Sequence, residues 1–222
     1  MEGFSTAFSR VDEMRPCPIG ADGRCCKNCA MGPCRLVTEE QTGICGATRK
    51  TVAARNLARA IAVGAAAHSD HGRDVALTLL AAATGRAPDY RIRDEEKLRA
   101  VARYLDVPTQ GREVDEIAAD VAQTALDQFG QQVGEMAPAR RAPKRRQELW
   151  RELKLTPRGI DREVVDTLHR THIGDDQDAE HLLHQALRTA LADGWGGSMI
   201  ATDLSDVLFG TPAPARARIN LG

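Results

Sequence analysis

The stretch Cys17-Pro-Ile-Gly-Ala-Asp-Gly-Arg-Cys-Cys-Lys-Asn-Cys-Ala-Met-Gly-Pro-Cys-Arg-Leu36, with Gly43-Ile-Cys-Gly46 shortly after it, holds all six cysteines of this 222-residue chain. The spacing is C-x7-C-C-x2-C-x4-C-x10-C. Thiols crowded into loops that carry Gly20, Gly23, Gly32, Pro33, Gly43 and Gly46 suit a metal centre better than a packed core. Glycines let backbone N–H groups approach inorganic sulfides, and hydrogen bonds to those sulfurs tune a cluster's potential.

A structural zinc ion commonly takes two C-x2-C pairs set well apart. Only Cys26 and Cys29 form such a pair here. A [4Fe–4S] cluster also takes four thiolates and accepts tight, uneven spacing, and the natural set of four is Cys26, Cys29, Cys34 and Cys45. Cys25 adjoins Cys26, so the two side chains diverge and can serve different centres. Cys17 and Cys25 make half a ligand set, which a two-fold axis would complete in a homodimer with one shared cluster. Disulfides and structural zinc are the competing readings. The opening Met-Glu-Gly-Phe-Ser-Thr-Ala-Phe-Ser-Arg lacks the apolar core of a signal peptide, so the expected location is cytoplasmic. Thiols stay reduced there, and clustered cysteines point to metal.

Composition leads outward from the cysteines to the fold. Hydrophobic residues make up 42% and aromatics only 4%, with Ala and Leu prominent. That favours packed helices over sheets. The expected class is all-α: a helical domain over 47–212, an N-terminal cluster-binding arm over 1–46 with iron–sulfur cysteine loops, and a linker over 213–222. Thirty basic and 31 acidic residues give a formal charge of −1, so no basic field argues for nucleic acid. No apolar run reaches the roughly 20 residues of a membrane span.

Residues 1–16 read as a poorly ordered lead-in. A helix begins near Ala47 or Thr48 and ends near Gly85, either continuous or broken at Gly72. Its free N–H groups would face an anionic cluster, with Arg49 and Lys50 nearby. Leu57, Ile61, Gly64, His68, His71 and Val75 recur at helical spacing, which predicts an inward face carrying both histidines. Further helices are expected over 94–106, 111–129, 144–154, 160–171, 177–193 and 198–209, with Gly194–Gly197 as a break. The helix over 111–129 should carry Val114, Ile117, Ala118, Val121, Ala125 and Leu126 on one side. Asp161 should cap an amphipathic helix whose apolar side carries Val164, Val165 and Leu168. The run Arg140, Arg141, Lys144, Arg145 and Arg146 reads as a solvated connector or as a docking patch for an acidic electron carrier. His169/His172 and His181/His184 have helical spacing without a companion ligand set, and helix packing or capping is their expected role.

The cysteine run over 17–36 resembles the start of the catalytic subunit of nickel-containing anaerobic carbon monoxide dehydrogenases. So do G-I-C-G-A-T-R-K-T-V-A-A-R-N (43–56), A-A-A-H-S-D-H-G-R (65–73), R-T-H-I-G (170–174) and A-L-A-D-G-W-G-G-S-M-I-A-T-D-L-S-D-V-L-F-G-T-P (190–212). The resemblance implies that Cys26, Cys29, Cys34 and Cys45 hold a [4Fe–4S] cluster within the subunit. It implies that Cys17 and Cys25 supply half of a [4Fe–4S] or [2Fe–2S] cluster bridging two subunits. His68 and His71 match the start of a histidine proton track, although the next position of that track is Asp74 here. Family subunits are much longer, and a His and several Cys in later domains bind their nickel–iron–sulfur cluster; this chain has no cysteine after Cys45. The expected function is therefore electron transfer and dimerisation within an enzyme that oxidises CO with water and passes electrons to a ferredoxin-like acceptor. The isolated chain is not expected to be catalytic. The alternative is a stand-alone iron–sulfur electron-transfer protein.

Overall fold

The computed structural model describes residues 4–214. Its axis is a 35-residue helix, α3 (Arg49–Ala83), about 50 Å long at 1.5 Å per residue. Before it come α1 (Ala7–Glu13), α2 (Pro18–Ala21) and a minimal hairpin of β1 (Cys25–Cys26) and β2 (Cys34–Arg35). After it come α4 (Glu95–Tyr104), α5 (Val114–Gly130), α6 (Lys144–Glu152), α7 (Ile160–Arg170), α8 (Ala179–Ala192) and α9 (Ser198–Phe209). The fold is all-α apart from the hairpin, as expected. Helices α5, α7, α8 and α9 pack around α3.

The start of α3 follows from local chemistry. Gly46 turns the chain at φ +85°, and the Thr48 side chain then accepts from the Thr51 N–H at 3.2 Å. That bond satisfies one of the orphan donors of the first turn. The helix runs through Gly72 without a break and ends at Ala83, before Gly85 at φ +72°. Gly72 permits a close crossing instead: a Cβ there would sit 2.7 Å from the Gly197 carbonyl oxygen.

The face of α3 that turns inward is not the predicted one. Thr51, Val52, Ala54, Arg55, Ala58, Ala62, Ala65, Ser69, Gly72, Ala76 and Leu79 are buried. Leu57, Gly64, His68 and His71 are exposed, and Ile61 and Val75 are half-buried. The reason is steric. Helix separation depends on the side chains between the axes, and a face of Ala, Ser and Gly brings four neighbours close to α3. The bulkier stripe is left outside.

Helix α7 repeats the inversion. Val164, Val165 and Leu168 are exposed or half-buried, whereas Ile160, Glu163, Asp166 and Thr167 are buried. Arg158 holds this face, donating to Glu163 Oε2 at 2.7 Å and to Asp166 Oδ2 at 2.8 Å. Asp161 does not cap α7. Gly159 is the N-cap, and Asp161 reaches α3 to accept from Ser69 Oγ at 2.8 Å and from Arg73. On α5, by contrast, the predicted side faces the core: Ile117, Ala118, Val121 and Ala125 are buried, and Val114 and Leu126 are half-buried. They join an apolar cluster that includes Leu79, Leu98, Phe129, Trp150, Ile160, Ile200 and Leu204.

Two boundaries and the basic run differ from expectation. The lead-in carries α1, whose first turn is closed by a reciprocal capping box between Thr6 and Ser9. Residues 193–197 do not break the chain but form a π-helical turn leading from α8 into α9. The basic run is partly consumed by ion pairs: Arg140 with Asp106, Arg141 with Asp203, and Arg145 with Glu148 at 3.7 Å. Most of the linker expected over 213–222 lies outside the described residues.

Candidate metal centre

The hairpin separates the cysteines. Cys26 pairs in register with Cys34, and Cys25 with Arg35. Adjacent strand residues point to opposite faces, so Cys26 is buried and lines a cavity while Cys25 lies outside it. Cys29, Cys34 and Cys45 line the same cavity, with Asn28, Gly43, Ile44, Ala47, Val52, Arg55 and Ile173 completing its wall. Cys17 is exposed and is the residue before α2. The backbone N–H groups of Gly20 and Ile19 hold its thiol below the ordinary value. All six thiols are free.

Several groups fix the cavity wall. Asn56 of α3 donates through Nδ2 to the carbonyls of Gly23 and Cys25, both at 3.0 Å. Gln177 Nε2 donates to the Cys45 carbonyl at 3.0 Å, and Thr51 Oγ1 donates to the Gln177 carbonyl at 2.8 Å. The loop before α8 is thereby tied to both the last cysteine and the start of α3. The Ile44 N–H reaches Cys34 Sγ at 3.5 Å. Gly43 lies against that sulfur, since a Cβ would meet it at 3.6 Å.

Arg55 is the largest polar side chain in this wall and is 1% exposed. Its Nη1 donates to Cys45 Sγ at 3.5 Å and its Nη2 to the Asp176 carbonyl at 2.6 Å. Burial would push the Cys45 thiol up, but the Arg55 hydrogen bond, with backbone donors and Gln177, outweighs it and brings the thiol down to about 7. Arg55 Nε and Asn28 Nδ2 are buried without a hydrogen-bond partner.

These features fit an iron–sulfur cluster. The inorganic sulfides of such a cluster accept N–H···S bonds, which would satisfy donors that are costly to leave unpaired. Among the described residues no three His, Cys, Asp or Glu side chains converge closely enough to hold a single metal ion. The four thiols surround a space instead of meeting at a point. Sequence reasoning singled out the cysteines but missed Arg55, Asn28, Asn56 and Gln177. The visible signal was a lone Arg on the Ala-rich stripe of α3. Arg49, expected near the anion, instead pairs with Glu39.

Farther along α3, His68 and His71 share an open groove with Ser198, Ala201, Thr202, Ser205 and Asp206. His68 Nδ1 lies 2.9 Å from Asp193 Oδ1 and 3.3 Å from Ser198 Oγ. Asp193 and Ser198 flank the π-helical turn, so the turn itself positions both partners. Serine and aspartate meet the same ring nitrogen, which is not the relay geometry of a nucleophilic triad. The other histidine pairs stay apart: His169 Nε2 lies 3.5 Å from Asp175, and His184 Nε2 lies 2.6 Å from the Leu153 carbonyl.

Residues 24–222 match the Prismane/CO dehydrogenase family. Carbon monoxide dehydrogenase 1 of Methanosarcina acetivorans is 50% identical over 225 aligned residues, which take in 100% of this chain and 36% of that protein. An as-isolated, Ni-free carbon monoxide dehydrogenase from Thermococcus sp. AM4 superposes with a TM-score of 0.90 at 48% identity, covering 95% of this chain and 34% of that one. An acetyl-CoA synthase/carbon monoxide dehydrogenase, solved with NiZn[Fe4S4] and NiNi[Fe4S4] clusters in its alpha subunits, superposes with a TM-score of 0.90 at 40% identity, over 95% of this chain and 32% of that one. The chain thus spans about a third of the length of the relatives it matches, and it belongs to the Prismane/CO dehydrogenase family.

Proposed function

We propose that this chain is the iron–sulfur, electron-transferring portion of an anaerobic carbon monoxide dehydrogenase. The complete enzyme would convert CO and water to CO2, two protons and two electrons. The observation that carries this reading is the single cavity lined by Cys26, Cys29, Cys34 and Cys45, within a chain of this family. Family membership disfavours the stand-alone carrier.

In this reading the four thiolates ligate a [4Fe–4S] cluster, which supplies one-electron transfer when bound. The buried Val52 and Ala47 exclude water from its surroundings, and Ile44, Arg55 and Asn28 offer N–H groups to sulfur. Cys17 and Cys25 lie outside that cavity, which supports their assignment to a second cluster shared across a homodimer. A ferredoxin-like protein is the proposed acceptor and the cytoplasm the proposed location. Among the described residues no helix is long and apolar enough to cross a membrane. With all six cysteines given to these two clusters, no ligand set for a nickel-bearing centre is assigned to these residues.

His68 and His71 are the proposed proton carriers. Contrary to the sequence expectation both are exposed in this chain, so any relay runs along its surface, under whatever covers α3. With Nδ1–H donated to the Asp193 carboxylate, His68 presents Nε2 as the proton-accepting atom.

Iron and acid-labile sulfide, measured on anaerobically purified protein of known oligomeric state, test the cluster assignment. About six irons per chain in a dimer are expected for one whole cluster and half of a shared [4Fe–4S], or about five with a shared [2Fe–2S]. Zinc without sulfide would overturn the reading.

A further inference from the structure

Arg55 presents a problem that the fold alone does not solve. Its side chain is fully enclosed, and among the described residues no carboxylate lies within ion-pair distance of it. Burying a guanidinium without a counter-ion is expensive. Nearby arginines do have carboxylates: Arg24 pairs with Asp22 and Arg49 with Glu39. Asp176, which meets Arg55, offers only its carbonyl, while its carboxylate accepts from Arg170 at 3.3 Å. Among the described residues its guanidinium meets the Cys45 sulfur and the Asp176 carbonyl, and its Nε–H remains unspent beside the cavity.

We propose that Arg55 is the charge partner of the centre held by Cys26, Cys29, Cys34 and Cys45, favouring its one-electron-reduced form and so raising its reduction potential. The inference rests on the cluster assignment made above. Reduction adds one electron and one negative charge to the centre and moves no proton. A fixed cation enclosed with that charge interacts more strongly with the reduced state, because the protein interior screens it far less than water does. Arginine suits the position because it stays protonated at any working pH and its planar fork engages two partners at once. Here the fork spans Cys45 Sγ and the Asp176 carbonyl. The same residue therefore ties the cluster to the loop before α8. Asn28, the second unspent donor, contributes hydrogen bonding without charge.

The test is a redox titration with dithionite, followed by electron paramagnetic resonance, on the anaerobically purified, cluster-loaded protein and its Arg55→Met and Arg55→Lys variants. Iron and sulfide are measured on each. Arg55→Met should keep its iron and lower the reduced-to-oxidised ratio of this cluster about tenfold at a fixed potential, which is about 59 mV for a one-electron couple. Arg55→Lys should retain most of the wild-type potential. Iron loss from the methionine variant, with iron and potential kept in the lysine variant, would also support the proposal, because charge is then what the site requires. An unchanged midpoint in an iron-replete Arg55→Met protein overturns it, as does iron loss from both variants, which would make Arg55 a structural residue only. Absence of iron and sulfide from the wild type would instead sink the cluster assignment itself.

Discussion

The two ends of α3 are held by different physics. Around its C-terminal half, Leu79, Leu98, Ile117, Val121, Phe129, Ile200 and Leu204 form a continuous apolar cluster. Around its N-terminus the buried apolar set is Cys26, Leu36, Ala47 and Val52, with Cys34 and Cys45 packed against it. Side chain to backbone bonds from Asn56, Gln177 and Arg55 hold the loops there. One end folds by burying hydrocarbon. The other positions thiols and unspent N–H groups around a space, and its rigidity depends on what fills that space.

The largest expected effect separates the two ends directly. Cys26→Ser should remove the internal cluster, about four irons per chain, while far-ultraviolet circular dichroism keeps the helical signal. Cys25→Ser should cost only about two irons and the dimer. Collapse of helix content in either variant would erase the distinction between the ends.

Next is the polar face of α7. Glu163 is 0% exposed and bound by Arg158 and Gln185. Burial would raise its pKa, but the Arg158 bonds outweigh burial and hold the carboxyl below its ordinary range. Its stabilisation is therefore fully present above the unfolded value of about 4.3 and is lost as pH falls through the lower folded value. Glu163→Leu should destabilise the body by about 3 kcal/mol at neutral pH, because it leaves Arg158 with Asp166 alone and removes the acceptor of the buried Gln185 amide. It should also flatten the acid limb of the stability profile below about pH 5. Thermal unfolding read by circular dichroism across pH checks both effects, and iron content should not change.

A smaller effect is expected at the crossing of α3 with the π-helical turn. Gly72→Ala places a Cβ 2.7 Å from the Gly197 carbonyl oxygen, so overpacking should cost about 1–3 kcal/mol in chemical denaturation. An unperturbed or stabilised protein would show that this crossing relaxes. The smallest effect belongs to the cysteine end. Asn56→Ala frees the carbonyls of Gly23 and Cys25 and should cost about 1 kcal/mol. Its clearer readout is faster alkylation of Cys25 in the cluster-free protein, with the body's melting temperature unchanged.

How much was legible beforehand differed between these regions for a physical reason. On α5 the buried residues include Ile117, Val121 and Phe129, so hydrophobic periodicity pointed to the right face. On α3 and α7 the same method pointed to the wrong one. The buried face of α3 is mostly Ala, Ser and Gly, which a hydropathy pattern scores below the exposed Leu57 and Val63. The buried face of α7 carries two carboxylates, and Arg158, which pairs with both, lies outside that helix. Likewise Asp161 has the chemistry of a cap, and only the nearness of Ser69 and Arg73 assigns it elsewhere.

The sequence by itself determined the class of the fold, the positions of the main helices and the inventory of thiols. These rest on composition, capping and spacing along the chain, all of which are local. The tertiary structure decided which face of α3 turns inward and which cysteines share a cavity. It also decided that His68 meets Asp193 and that Arg55 is enclosed without a carboxylate. The last two depend on groups more than 100 residues apart coming within a few ångströms, as Arg55 and Asp176 do at 2.6 Å. Steric fit and charge compensation between distant segments arise only when the chain is packed.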